Sequence, residues 1–188
     1  MNITTTDLPG VLVIEPVVFR DDRGFFLETF RDDRFTQAGL PAAFRQDNHS
    51  RSRRNVLRGL HYQLKHPQGK LITCMRGEIF DVAVDVRVGS PTFGRWTGIT
   101  LHADHPRYVW IPAGFAHGFC VLSDVADVTY KCTDIYHAGD DYGVVWSDPA
   151  IGIRWPIDDA VLSAKDQQHP LLNAARDVLP AYAVAAAL

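Results

Sequence analysis

At 188 residues the chain has the length of one domain with a sizeable core, and is short for two. Hydrophobic residues make up 46% and charged residues 22%, the balance of a soluble globular protein, and no apolar run approaches the roughly 20 residues of a membrane span. A formal net charge of -3 lacks the basic footprint of a nucleic-acid binder. The opening MNITTTDLPGVLVIE has neither a basic n-region nor an apolar h-region ending in small residues, so the expected address is cytoplasmic. In the RDDRGFFLETF that follows, Arg23 beside Gly24 reads as a turn, and Asp32 to Ala38 reads as a short helix. Between Arg45 and Arg58 stand Arg45, Arg51, Arg53, Arg54, Arg58 and His49 against a single acid, Asp47. That run is either a solvated loop or a local anion site, because guanidinium groups pair bidentately with phosphate.

Through the middle the chain alternates with period two: KLITCMRG, EIFDVAVDVRVG, RWTGITLHA, RYVWIPAG, GFCVLS and ADVTYKCTDIY. Each run is short, rich in β-branched or aromatic residues, and bounded by Gly, Pro, Asp or Ser. The expected class is all-β, a single domain over 1–188 of the jelly-roll kind, with short peripheral helices mainly toward the C-terminus. Helical signals recur only at Asp159 to Leu162 and in the tail after Pro170, LLNAARDVLPAYAVAAAL, whose Ala-rich end is expected to fray. Cys74, Cys120 and Cys132 have no CxxC spacing, so reduced, packed thiols are expected instead of a disulfide framework or zinc site.

Two histidines fall on strand-like segments, His61 in LRGLHYQ and His117 in WIPAGFAHGF. A lone strand histidine is more often a hydrogen-bonded core residue than a catalyst. The run Pro112, Gly114, His117, however, resembles the PxGxxH of a second cupin motif. Metal-binding cupins supply an HxH pair and a Glu from the first motif, but here His61 is followed by Tyr62 and Gln63, and His66 lies beside Pro67 in a turn. The ligand set is broken, so no metal is expected and His61 is left available for acid/base work.

QDNHS, VLRGLHYQ, QGKL, GEIFDVAVDVR, SPTFGRW, WIPAGFAHGF, TYKCTDIY, IGIRWP and LSAKD, in that order between Arg20 and Leu172, closely resemble the dTDP-4-dehydrorhamnose 3,5-epimerase family. The resemblance implies a cupin-type jelly-roll barrel, a homodimer built partly by strand exchange, a dTDP-4-keto-6-deoxyhexose substrate, and no metal or organic cofactor. Such a reaction needs a base, an acid on the other face and an enolate stabiliser. His61 matches the base, Asp166 its carboxylate partner, Tyr130 the acid and Lys70 the cation at the developing oxyanion. Arg23, Phe26, Glu28, Gln46, Asn48, Arg58, His117 and Lys165 match substrate contacts. Tyr136 matches the aromatic residue that stacks on thymine. In HAGDDYG, where the family usually has Glu, Asp141 is the equivalent.

Each of these residues also has an ordinary reading: Tyr130 and Tyr136 as sheet aromatics, Lys70 beside a turn, Asp166 as a cap, Arg23 as a solvated charge. Other readings of the whole are a mono-epimerase acting at C3 or C5 alone, a non-catalytic cupin that binds sugar nucleotides, and a metal-dependent cupin.

Overall fold

A computed structural model describes residues 1–182 of the chain. In chain order its elements are β1 (Asn2–Thr5), β2 (Leu12–Glu15), β3 (Val18–Asp21), β4 (Gly24–Leu27), α1 (Asp32–Gln37), β5 (Gln46–Arg53), β6 (Leu57–Gln63), β7 (Lys70–Arg76), β8 (Glu78–Asp85), β9 (Trp96–His102), β10 (Tyr108–Ile111), β11 (Phe115–Val121), β12 (Val125–Cys132) and β13 (Asp141–Gly143). A six-stranded antiparallel sheet runs β1-β2-β10-β7-β12-β5, and a five-stranded one runs β13-β6-β11-β8-β9. They face each other as the expected cupin-type jelly roll. The hairpin β3-β4 pairs with neither sheet.

Alternation along each strand decides what goes where. In β8, Ile79 and Ala83 enter the core between the sheets with Ile72, Val109, Phe119 and Val128. Val82 and Val84, one residue out of phase, lie on the opposite face, under Leu172, Ala175 and Leu179 of the C-terminal segment. The outer face of the six-stranded sheet is covered by α1, whose Phe35 packs with Ile14, Leu71, Tyr108 and Trp110. Two aspartates open that helix, where negative charge suits the exposed amides. Gly39, at φ +71°, ends it by turning the Leu40 amide back to the Phe35 carbonyl at 2.9 Å. No helix among the described residues is long and apolar enough to cross a membrane.

The structure departs from the sequence reading in four places. The arginine-rich run is not a loop, since most of it is strand β5, paired with β12 along its length, and of its arginines Arg58 alone lines the cleft. Its odd positions face outward, where Arg51 binds Asp127 at 2.7 Å, while flanking Arg45 and Arg54 hold Asp134 and Asp124. Asp159 to Leu162 is not helical, because Val161 bridges to Val56 and its carbonyl takes the Leu57 amide at 3.0 Å. The tail forms only the 3-10 turns Leu172–Ala174 and Arg176–Val178, and its Ala-rich end lies outside the described residues. Strands β1 to β4, each four residues long, lie outside the runs expected from alternation.

The motif SPTFGRW is explained by burial. The Asp85 carboxylate, fully enclosed at the end of β8, accepts from Ser90 at 2.5 Å, Thr92 at 2.6 Å and Arg87 at 2.8 Å. A buried charge is tolerated when it is satisfied in this way.

One backbone feature governs the site. Opposite His117 and Phe119 of β11 stand His61 and Arg58 of β6, so a single residue on β11 is matched by two on β6. This bulge needs Gly59, whose φ is +124° and whose added Cβ would lie 2.6 Å from the Gly118 Cα. Gly59→Ala is expected to cost at least about 1–3 kcal/mol, the strain of forcing a side chain into such a conformation. Denaturant unfolding measures this, and a loss well below that range would mean the bulge does not depend on glycine.

Candidate active site

Because of the bulge, Arg58 and His61 share the inner face of β6 although they are three residues apart, alongside His117 and Phe119. The facing wall comes from the other sheet. Lys70 of β7 is paired with Cys132, and Tyr130 of β12 with Ile72, and since Ile72 is a core residue all four point inward. Strand β5 adds Gln46, Asn48, Ser50 and Ser52 in the same phase. Its inward positions are polar because they line a cavity instead of a packed core, and for that reason QDNHSRSR does not read as a strand.

Between the walls lies a cleft of about 520 Å³ lined by Arg58, His61, Lys70, His117, Tyr130, Tyr136, Asp141, Lys165 and Asp166, among others. A side lobe of about 320 Å³ reaches Gln46 and Asn48. Both volumes suit a small-molecule ligand.

His61 Nε2 lies 2.6 Å from the buried Asp166 Oδ1, a contact that bridges 105 positions of sequence. The carboxylate therefore holds the Nε2–H tautomer and leaves Nδ1 as the acceptor. Burial lowers the His61 pKa below its ordinary 6.5, outweighing the raising effect of Asp166, so the imidazole is neutral at pH 7. Asp166 is itself desolvated, yet the imidazoles of His169 and His61 beside it hold it well below the usual carboxylate range.

On the far wall, burial raises the Tyr130 phenol, which keeps its proton at neutral pH. Burial also lowers the Lys70 ammonium, and no carboxylate lies within salt-bridge distance of it among the described residues. A half-buried, unpaired cation is costly unless a ligand supplies the counter-charge. Deeper in, His117 Nε2 pairs with Asp81 at 2.7 Å, both buried.

The rim is one network. Tyr136 is half exposed and donates its hydroxyl to Asp141 Oδ2 at 2.7 Å, while its amide donates to Gln46 Oε1 at 2.7 Å. Lys165 also binds Asp141. These contacts, with burial opposing them, keep Asp141 ionised below its ordinary range. Asp140 next to it is buried and accepts from the amides of Leu64, Lys65 and His66, which ties the turn after β6 to this rim.

Eleven of the residues singled out from sequence thus line one continuous cavity. Arg23, Phe26 and Glu28 do not join it. Arg23 is exposed and bound to Asp21 at 2.5 Å. Phe26 and Glu28 border a separate groove of about 200 Å³ beside α1. Sequence reading missed Ser50, Phe119 and Ser163 on the cleft wall, and His169 behind Asp166. The first two follow from strand phase once the pairing is known, whereas nothing in the sequence flags His169.

The family model described as dTDP-4-dehydrorhamnose 3,5-epimerase matches residues 5–174. A dTDP-4-dehydrorhamnose 3,5-epimerase of Shigella flexneri is 54% identical over 168 residues, 88% of this chain and 93% of the relative. The solved dTDP-6-deoxy-D-glucose-3,5-epimerase of Legionella pneumophila, in complex with dTDP-4-keto-L-rhamnose, superposes with TM-score 0.94 at 48% identity, covering 97% of this chain and 99% of that one. A 4-keto-6-deoxy sugar epimerase from the novobiocin biosynthetic gene cluster of Streptomyces spheroides gives TM-score 0.93 at 41% identity, covering 97% and 94%.

An NMR titration of the His61 ring is expected to show its midpoint below 6.5. Asp166→Asn removes the partner that favours the imidazolium, so the midpoint should fall further. A wild-type midpoint at or above 6.5 would mean that the ion pair outweighs burial.

Proposed function

The chain belongs to the dTDP-4-dehydrorhamnose 3,5-epimerase family, and on that premise we propose how its cleft performs the reaction. The protein is a carbohydrate epimerase that converts dTDP-4-dehydro-6-deoxy-D-glucose to dTDP-4-dehydro-L-rhamnose, a step toward dTDP-L-rhamnose. The observation that carries the mechanism is that His61 and Tyr130 enter one cleft from opposite sheets, with Lys70 on the Tyr130 wall.

His61 Nδ1 takes the proton from a carbon next to the C4 ketone. The C–H electron pair moves into the enolate, whose negative charge develops on the C4 oxygen. Lys70 sits where it stabilises that oxygen, and the sugar oxyanion supplies the counter-charge the lysine lacks. Tyr130 then delivers its proton to the other face of the carbon, inverting it. Each inversion leaves an imidazolium and a phenolate, so both groups must reset through solvent before the second carbon reacts. C5 and C3 flank the same ketone, and one set of groups serves both.

Arg58, held by Ser52 at 3.0 Å, pairs with the phosphates of the nucleotide in this reading, and His117 is a further contact to the nucleotide sugar. Tyr136 offers a flat face for thymine, fixed by Asp141 and Lys165. Neither a metal nor an organic cofactor takes part in this reading.

A homodimer belongs to the same proposal. The β3-β4 hairpin is unpaired with either sheet and carries exposed Phe19, Phe25 and Phe26. Exchanged onto a second copy, it buries this apolar surface and supplies Arg23, Phe26 and Glu28 to the partner's cleft. A cytoplasmic address fits the three cysteines, each a free buried thiol.

In deuterated buffer, product trapped by a ketoreductase should carry deuterium at both C3 and C5, with both centres inverted. Deuterium at one carbon alone would move the protein to the mono-epimerases. His61→Asn should lower exchange by about 10²–10⁴-fold or more. Tyr130→Phe should spare exchange of the first proton more than net inversion. Equal loss of both would remove Tyr130 as the acid. Light scattering should give twice the 21.0 kDa chain mass, and a monomer would sink the exchange of the hairpin.

A further inference from the structure

His169 is the residue of the site that the mechanism does not use. Its side chain is only 8% exposed, and its Nε2 is buried without a hydrogen-bond partner. That nitrogen lies 3.5 Å from Asp166 Oδ1, the same oxygen that His61 Nε2 approaches at 2.6 Å. The two imidazole rings stand edge to face, at 5.5 Å between centroids and 73° between planes.

The arrangement is built from two parts of the chain. Gly143 of β13 is the cross-strand neighbour of His61. A Cβ at Gly143 would lie 2.4 Å from His169 Nε2, so the ring of His169 occupies the space a side chain there would fill. Asp166 and His169 are three residues apart around the 3-10 turn Asp166–Gln168, which sets them on one side. Just beyond, the Pro170 carbonyl takes the Val145 amide at 2.9 Å and pins the loop. His61, Asp166 and His169 thereby offer one donor atom each within 4.8 Å of one another.

We propose that these three side chains form a binding site for a borderline divalent cation such as Zn²⁺, and that its occupancy inhibits the enzyme. Two imidazoles and a carboxylate are the ligand types zinc takes, and the donors of a tetrahedral site at about 2.0–2.1 Å from the metal are roughly 3.3 Å apart. The approaches of His61 and His169 to Asp166 Oδ1, 2.6 and 3.5 Å, bracket that value. The inhibition follows from the tautomer and rests on His61 being the base. Metal binding uses the Nε2 lone pair, and the proton formerly on Nε2 moves to Nδ1. No proton is lost, but Nδ1 has become a donor and can no longer take a proton from the sugar.

The test uses chelator-washed full-length protein titrated with Co²⁺, a zinc surrogate whose four-coordinate complexes absorb strongly in the visible. Wild type should bind one Co²⁺ per chain with that band, which Zn²⁺ displaces. His169→Gln and His61→Asn should each weaken binding by at least about tenfold. The band surviving in His61→Asn overturns the site even if His169→Gln does not fold. So does its absence in wild type, or its loss on His66→Ala, which would place the metal at the surface pair His66 and His137, stacked at 3.8 Å. Deuterium exchange, run in parallel, should stop with stoichiometric Zn²⁺ and return with EDTA. No exchange in EDTA alone would instead overturn the epimerase mechanism, while the Co²⁺ spectrum still reports on the metal site.

Discussion

A buried carboxylate bound to an imidazole at the mouth of the barrel is the interaction on which the rest of this structure turns. Asp166 lies on the loop after the last strand and His61 on the sixth, so their contact exists only when the C-terminal segment lies across the five-stranded sheet. Leu172, Ala175 and Leu179, packed on Val82 and Val84, hold it there. Each leucine or valine among them, when fully buried, contributes about 1.5–3 kcal/mol, and together they offset the cost of enclosing one charge. Hydrophobic packing on the outside of the sheet thus sets the tautomer of an imidazole on the inside.

The two walls of the cleft carry different chemical groups because they belong to different sheets. The five-stranded sheet contributes His61 and His117, each fixed by a buried aspartate. The six-stranded sheet contributes Lys70 and Tyr130, neither bound by a carboxylate, and both shifted by burial toward the neutral form. Inverting a carbon requires a proton to leave one face and another to arrive at the opposite one. A sandwich with polar residues on both inner faces meets that requirement without any moving part.

Much of this was legible in the amino-acid order. Runs such as KLITCMRG and EIFDVAVDVRVG carry their pairing phase in the alternation of large apolar residues, since a one-residue slip would expose the core face. The motifs from QDN to LSAKD were enough to single out His61, Lys70, Tyr130 and Asp166, and all four reach one cleft. The arginine-rich run was misread because alternation is detected by apolar residues, and β5 turns Gln46, Asn48, Ser50 and Ser52 inward. Arg45, Arg51 and Arg54 are answered by Asp134, Asp127 and Asp124, acids about 70 to 90 positions further along that no local window contains.

Taken alone, then, the sequence determined the class of fold, the phases of the apolar strands and a set of candidate reacting groups, because these rest on local period and on residue chemistry. Only the tertiary structure decided their relative placement. Arg58 and His61 share a face because a bulge at Gly59 breaks the period of two, and no pattern of hydrophobicity encodes a bulge. His169 joins Asp166 because Gly143 leaves room for its ring, a vacancy on one strand filled by a side chain from a distant loop. Long-range packing, which depends on where chains cross in space, fixed these contacts.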